Sequence, residues 1–264
     1  MEIFGFITLR PCLIPAGAAS PEVYGVRVSP SFPLPEIMEK YYNHDVWHQN
    51  KLEAIKKNPF KYRMEQQFFV TDALSFHGSP EPPCKVLDLG CGIGDISVAL
   101  AELGYAVTGI EYSEVAYNES RDITWAGTPK ITFLRGDVLD AGTLVPPGQW
   151  DFVTAFNLLH CFVTDDDRKK FYAALRAMLK PGTGRFYLST MCGMPGAQIV
   201  SRSKIDPATR IGSNGRRLHL EAKAIFAELA ANGLGVEESR LHSYNSAANP
   251  GIDTRDLSIL GFAK

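Results

Sequence analysis

Short apolar, β-branched runs alternate with segments of helical periodicity through most of this chain. The runs fall at Lys85 to Leu89, Ala106 to Ile110, Ile131 to Leu134, Phe152 to Phe156 and Phe186 to Ser189, and each predicts a strand. Between most of them the spacing predicts helices over Asp95 to Leu103, Ser113 to Trp125 and Asp165 to Leu179. The crossover through Val138 to Gln149 is rich in Gly and Pro and predicts only a short helix. A helix over Glu221 to Asn232, stopped by Gly233, precedes strands near Gly235 to Leu241 and Asp256 to Phe262. Strand, helix, strand repetition with short connections predicts an α/β domain whose parallel sheet is covered on both faces.

The chain before residue 84 reads differently. Residues 1–35 hold Pro11, Pro15, Pro21, Pro30, Pro33 and Pro35, which deny regular helix and predict an irregular arm. From Glu36 the pattern turns helical through Ile37, Tyr41, Trp47, Leu52 and Ile55, breaks at Asn58-Pro59, and resumes from Tyr62 to Leu74. His77 to Pro83 then forms a stiff linker, so residues 36–83 read as a helical unit and 84–264 as the α/β domain. Within that domain, residues 190–220 exceed an ordinary connection, and loops of that size are often binding elements.

Composition narrows the function classes. Of 264 residues, 45% are hydrophobic and 21% charged, which is ordinary for a globular protein. A formal net charge of -2 and a pI near 6.3 give no attraction to a polyanion, so nucleic acid is not expected as a partner. The richest basic stretches, Lys56-Lys57 with Lys61 to Arg63 and Arg216-Arg217, read as solvated faces. No apolar run approaches the ~20 residues a membrane helix needs. Glu2, the Arg10-Pro11 interruption and the lack of a basic leader argue against export, although the start is apolar. The five cysteines are scattered without a CxxC pair, so reduced thiols in the cytoplasm and no metal site are expected.

The strongest chemical signal is Val86-Leu87-Asp88-Leu89-Gly90-Cys91-Gly92-Ile93-Gly94-Asp95, a strand entering a glycine-rich turn that opens a helix. Glycines there let the backbone approach a ligand closely. The spacing is GxGxG, whereas the dinucleotide fingerprint sets its third glycine one residue later for a turn around a pyrophosphate. Glu111, in Gly109-Ile110-Glu111-Tyr112-Ser113, sits past the second strand, where a carboxylate can accept from both hydroxyls of a ribose. Asp137, in Arg135-Gly136-Asp137-Val138, ends the third strand, where it can accept from an exocyclic amine or cap the next turn.

Together these segments resemble the class I S-adenosylmethionine-dependent methyltransferases, over the chain from about Lys85 to its end. Asp88, Gly90, Gly92 and Gly94 match the family's first motif, Glu111 its ribose-binding acid and Asp137 its adenine-facing one. Trp150 to His160 resembles the fourth motif, and Leu179-Lys180-Pro181-Gly182 the turn before strand five. The resemblance implies a doubly wound sheet of seven strands, mostly parallel with the last antiparallel, and an N-terminal helical lid. It implies S-adenosylmethionine as cofactor, held by these residues with Cys91, Tyr112, Val138, Asn157 and Leu158.

Asn157-Leu158-Leu159-His160 lacks the Asn/Asp-Pro-Pro-aromatic turn of many enzymes that methylate nitrogens of nucleic acids and proteins, which favours a small-molecule acceptor. Transfer from a sulfonium is an in-line displacement, and a base helps if the acceptor carries a proton. His160, at the end of the fourth strand, is the first candidate base, with packing beside the cofactor as the alternative; His219 is the second. Tyr41, Tyr42, Trp47 and Cys192 complete the substrate-side candidates, against a bland reading as core residues. A nicotinamide-dependent oxidoreductase and a non-catalytic S-adenosylmethionine-binding protein are the competing readings. A monomer or homodimer is expected.

Overall fold

Strand β1 (Lys85–Leu89) runs through the middle of the sheet, in parallel with β2 (Ala106–Glu111) on one side and β4 (Phe152–Phe156) on the other. β3 (Ile131–Arg135) adds in parallel beyond β2, and β5 (Arg185–Cys192) beyond β4. β9 (Asp253–Ala263) pairs antiparallel with β5, and β8 (Leu234–Asn245) with β9, so seven strands lie in the order β3-β2-β1-β4-β5-β9-β8. This is the expected mostly parallel sheet with its last strand antiparallel. The computed structural model describes residues 44–122, 131–193, 199–200, 203–204, 206, 208–212, 217–245 and 253–264. The arm 1–35 lies outside them.

Sequence explains the layering. Residues 86 to 89 of β1 are all buried, since a central parallel strand has neighbours on both edges and helices on both faces. Alternate side chains therefore feed two cores. Leu87, Leu89, Val153, Phe186 and Ile259 pack into one, with Phe171 and Leu175 of α6 (Asp165–Met178) and Ile225 and Leu229 of α7 (Ala222–Ala231). Val86, Val107, Phe152, Tyr187 and Leu260 pack into the other, with Val70, Ala73, Ile96 and Leu100. Those last four belong to α2 (Pro59–Leu74) and α3 (Asp95–Glu102). The remaining helices are α1 (His44–Lys57), α4 (Glu114–Asp122) and the single turn α5 (Ala141–Leu144).

Helix ends follow local chemistry. Thr164 caps α6 by accepting from Asp167 N–H at 3.1 Å, and three aspartates in the first turn complement the helix dipole. Gly233, at φ 73°, ends α7 where the chain must turn left-handed. α2 begins at Pro59 rather than Tyr62, because proline is tolerated at the first helical position. Buried Asp72 fixes α2 to the sheet: Tyr187 donates to it at 2.8 Å, and Arg240 and His242 of β8 lie 3.5 and 3.2 Å from it.

The connection after β5 is shorter than the sequence suggests. β5 runs on to Cys192 because β9 pairs with it as far as Arg255, so residues 190–192 are strand. Within the connection, β6 (Ile199–Val200) and β7 (Ser203–Lys204) form a small antiparallel hairpin, and Val200 pairs with Asp253 at the end of β9. Runs of two residues leave no periodic trace. Among the described residues no helix is long and apolar enough to cross a membrane.

Candidate active site

The sheet order reverses between β1 and β4, which opens a crevice at their C-terminal ends. Into it turn Gly90, Gly92 and Gly94, at φ 70°, 59° and 82°. All three are left-handed, a region that side chains with a Cβ resist. A Cβ on Gly94 would stand 2.6 Å from Phe133 Cζ, and one on Gly90 2.9 Å from Leu158 Cδ1. Those two glycines make room for packing. Among the described residues a Cβ on Gly92 would meet His48 and Lys51 of α1, at 3.5 and 4.0 Å, so Gly92 is the member facing the space beneath α1. The Cys91 thiol points the other way and fills the room above Gly109, where a Cβ would lie 2.7 Å from its Sγ.

Glu111 closes the corner. Its Oε2 accepts from Gly92 N–H at 2.8 Å and its Oε1 from Ser113 N–H at 2.7 Å, with His48 Nε2 3.8 Å away. The carboxyl is buried, and burial pushes its pKa up against the pull of those N–H groups and Lys51. α1 is fastened over this corner from the other end: Asp45 accepts from Ser113 Oγ and, at 3.2 Å, from Val115 N–H, capping α4 from outside.

Asp88 lies deeper. Its oxygens accept from Ser97 Oγ at 2.7 Å and Thr154 Oγ1 at 2.9 Å, and burial pushes its pKa up to about 7. It thereby ties β1 to α3 and β4 under the glycine turn. Asp137 Oδ1 accepts from Leu139 N–H at 2.9 Å, so it does cap the turn Val138–Asp140. Val138 packs into the core, while Tyr112, beside Glu111, is 59% exposed. Asn157 leaves β4 at φ 54°, its N–H donating to Ser189 O at 2.9 Å, which turns Leu158 onto Gly90.

At the ends of β4 and β5 the structure brings His160 and His219 together. His160 is buried and its Nδ1 accepts from Met191 N–H at 3.2 Å, with Thr190 Oγ1 at 3.3 Å. The proton of the neutral ring then sits on Nε2. Burial, with Arg217 and His219 nearby, holds the pKa well below the usual range. His219 is also buried, and burial beside Arg217 and Arg210 lowers its pKa to about 4. Both rings are therefore weak bases. Cys192 packs in the core with its thiol pushed up to about 11. Tyr41, Tyr42 and the Trp47 side chain lie outside the described residues. Among the described residues no group of three or more His, Cys, Asp and Glu side chains is placed to hold a metal.

A family model described as a methyltransferase domain matches residues 86–182, the stretch that carries the glycine turn, Glu111, Asp137 and His160. A ubiquinone biosynthesis O-methyltransferase of Azotobacter vinelandii is 27% identical over 61% of this chain and 68% of its own length. Its namesake in Xanthomonas campestris pv. campestris (strain B100) is 32% identical over 44% of this chain and 46% of its own length, so the chain spans about half of that relative. Among solved structures, a magnesium protoporphyrin IX methyltransferase of Synechocystis PCC 6803 with bound SAH superposes at a TM-score of 0.57. That match, at 17% identity, covers 85% of this chain and 98% of the other and concerns the fold. Residues 86–182 of this chain thus match a methyltransferase domain, and its sheet has the fold of solved methyltransferases.

Three features of this candidate site leave no motif in the sequence. Asp45 shows no motif, because its partner Ser113 is 68 positions away. Ser97 and Thr154 are legible only as a helix position and a strand position, until Asp88 is seen to need two donors. Arg217 reads as part of a solvated pair, but it is half-buried and its Nη1 lies 3.2 Å from Met191 Sδ. Arg216 lies outside the described residues. The remaining corner pairs Gly92, open toward α1, with the buried Glu111 carboxyl that accepts from its N–H, an arrangement compatible with a ribose-bearing cofactor.

Proposed function

We propose that this protein is a methyltransferase that moves the methyl group of S-adenosylmethionine to a heteroatom of a small molecule, held between the ends of β4 and β5 and α1. The observation that carries this reading is the contact of Glu111 with Gly92, which joins the carboxylate and the glycine cradle in one corner. Bound S-adenosylmethionine would supply an already activated methyl on a sulfonium. In this reading Glu111 exchanges Gly92 N–H for the ribose hydroxyls, Asp137 turns its second oxygen to the adenine amine, and exposed Tyr112 covers an adenine face. Gly90 to Gly94 lie along the methionine portion, with Leu158 and Asn157 as the opposite wall. Asp88, held by Ser97 and Thr154, positions the turn.

The chain's own contribution to the chemistry is alignment and exclusion of water. His160, with Nδ1 tied to Met191 N–H, serves as a positioning residue, and buried His219 likewise holds the wall of the acceptor side. The Azotobacter and Xanthomonas relatives are O-methyltransferases by name, which favours an oxygen acceptor. Free thiols at Cys84, Cys91, Cys161 and Cys192 suit a reducing compartment, the cytoplasm.

Incubating the protein with methyl-labelled S-adenosylmethionine and a metabolite library tests the proposal. Label transferred to a small acceptor is the expected result. Tight binding of the donor with no transfer to any acceptor would favour a non-catalytic binding protein instead.

A further inference from the structure

Resting on the reading above, we propose that Arg217 anchors a carboxylate carried by the methyl acceptor. Its backbone is pinned at the mouth of the crevice: Leu218 N–H donates to His160 O at 2.8 Å, and Leu220 O accepts from Gly193 N–H at 2.8 Å. The segment thus lies along the C-terminal ends of β4 and β5, where acceptors of open α/β sheets gather.

The guanidinium of Arg217 differs from those of four arginines that are held in ion pairs. Arg135, Arg168, Arg185 and Arg240 each meet a carboxylate, Glu114, Glu228, Glu237 and Glu238 respectively. Arg217 makes no ion pair among the described residues, and its side chain's hydrogen-bond partner there is a thioether, a weak acceptor. Asp256 on β9 feels its charge from beyond ion-pair distance. A half-buried cation with most of its donors uncommitted carries a desolvation cost that a bound anion would offset.

Two further observations place that anion on the acceptor side. His219, two residues on and so on the same face of this extended segment, is 1% exposed, and its buried Nδ1 has no hydrogen-bond partner among the described residues. Cys161 responds to both Glu111 and Arg217, so the guanidinium and the cofactor-side carboxyl lie within electrostatic reach of one short turn. A planar fork matches a carboxylate bidentately. One arginine, with two neutral imidazoles and Asp256 nearby, suits a singly charged carboxylate better than a dianionic phosphate.

The test uses the full chain saturated with S-adenosylhomocysteine, titrated calorimetrically with a panel of small carboxylic acids, benzoates and phenylacetates included, and their matched primary amides. The wild type is expected to bind at least one acid about 10-fold or more tighter than its amide, and Arg217→Gln to lose that preference. Arg217→Met, which keeps the packing, should behave the same way if the Gln variant folds poorly. S-adenosylhomocysteine affinity should not change in either variant. Absence of any acid preference in the wild type, or its survival in both variants, overturns the proposal. Weakened S-adenosylhomocysteine binding in the variants also overturns it, assigning Arg217 to the cofactor's own carboxylate. Failure of the wild type to bind S-adenosylhomocysteine at all would instead defeat the cofactor reading beneath it.

Discussion

Gly92 donates its backbone N–H to Glu111 across 19 positions of sequence, at 2.8 Å, and so joins the first turn of the sheet to the end of its second strand. The bond gives a buried carboxylate one of its donors. It also marks where an incoming pair of hydroxyls must compete. The site's architecture can be tested at the glycines, the histidines and Glu111 itself.

The two ends of the glycine turn should respond differently to a methyl group. At Gly92 an added Cβ finds His48 no nearer than 3.5 Å, so Gly92→Ala carries mainly the left-handed backbone cost of about 1 kcal/mol. At Gly94 the same change adds a 2.6 Å clash with Phe133, and overpacking raises the loss to roughly 2 to 4 kcal/mol. Denaturant unfolding of both variants should rank Gly94→Ala as the less stable; the reverse order would contradict the packing described.

His160 should prove a positioning residue. Its Nδ1 is engaged by Met191 N–H and its ring is kept neutral by burial, so it has little capacity to take a proton. His160→Asn, which retains a short acceptor, is expected to raise KM and lower stability while leaving the pH profile of kcat/KM unchanged. A limb of that profile that disappears in the variant would restore His160 as a base.

Stability on acidification should carry the mark of His219. Its folded pKa of about 4 lies below the ordinary 6.5, so the folded state binds fewer protons than the unfolded chain between these values. Its contribution is complete above pH 6.5 and is lost as pH falls toward 4. Asp88 and Asp256, pushed up to about 7 and about 6, act with the opposite sign, losing their contribution as pH rises through those values. The difference between wild type and His219→Leu isolates the histidine: the wild type should lose roughly 2 to 3 kcal/mol more than the variant from pH 7 to pH 4. Parallel pH curves would contradict the burial of a neutral ring.

The fold was legible where burial is two-sided. β1 and β4 match their expected bounds because a central parallel strand, buried on both faces, is mostly apolar. The glycine turn was legible because three left-handed positions, alternating with Cys91 and Ile93, leave few residues but glycine possible there. What depends on distant partners was not. The place of His160 after β4 follows from the sequence, but the backbone N–H that engages it comes from 31 positions later. Arg217 looked solvated because charge alone does not reveal that the chain folds it onto Met191.

The central claim is that Glu111 and the glycine turn form one adenosyl-binding corner. It is tested most directly by calorimetric titration of S-adenosylhomocysteine into the wild type and Glu111→Ala, with Glu111→Gln as a fold control and NADH as a competing ligand. Binding to the wild type, a loss of roughly 1.5 to 3 kcal/mol in Glu111→Ala and no binding of NADH are predicted. Equal affinity in wild type and variant, or binding of NADH alone, would contradict it.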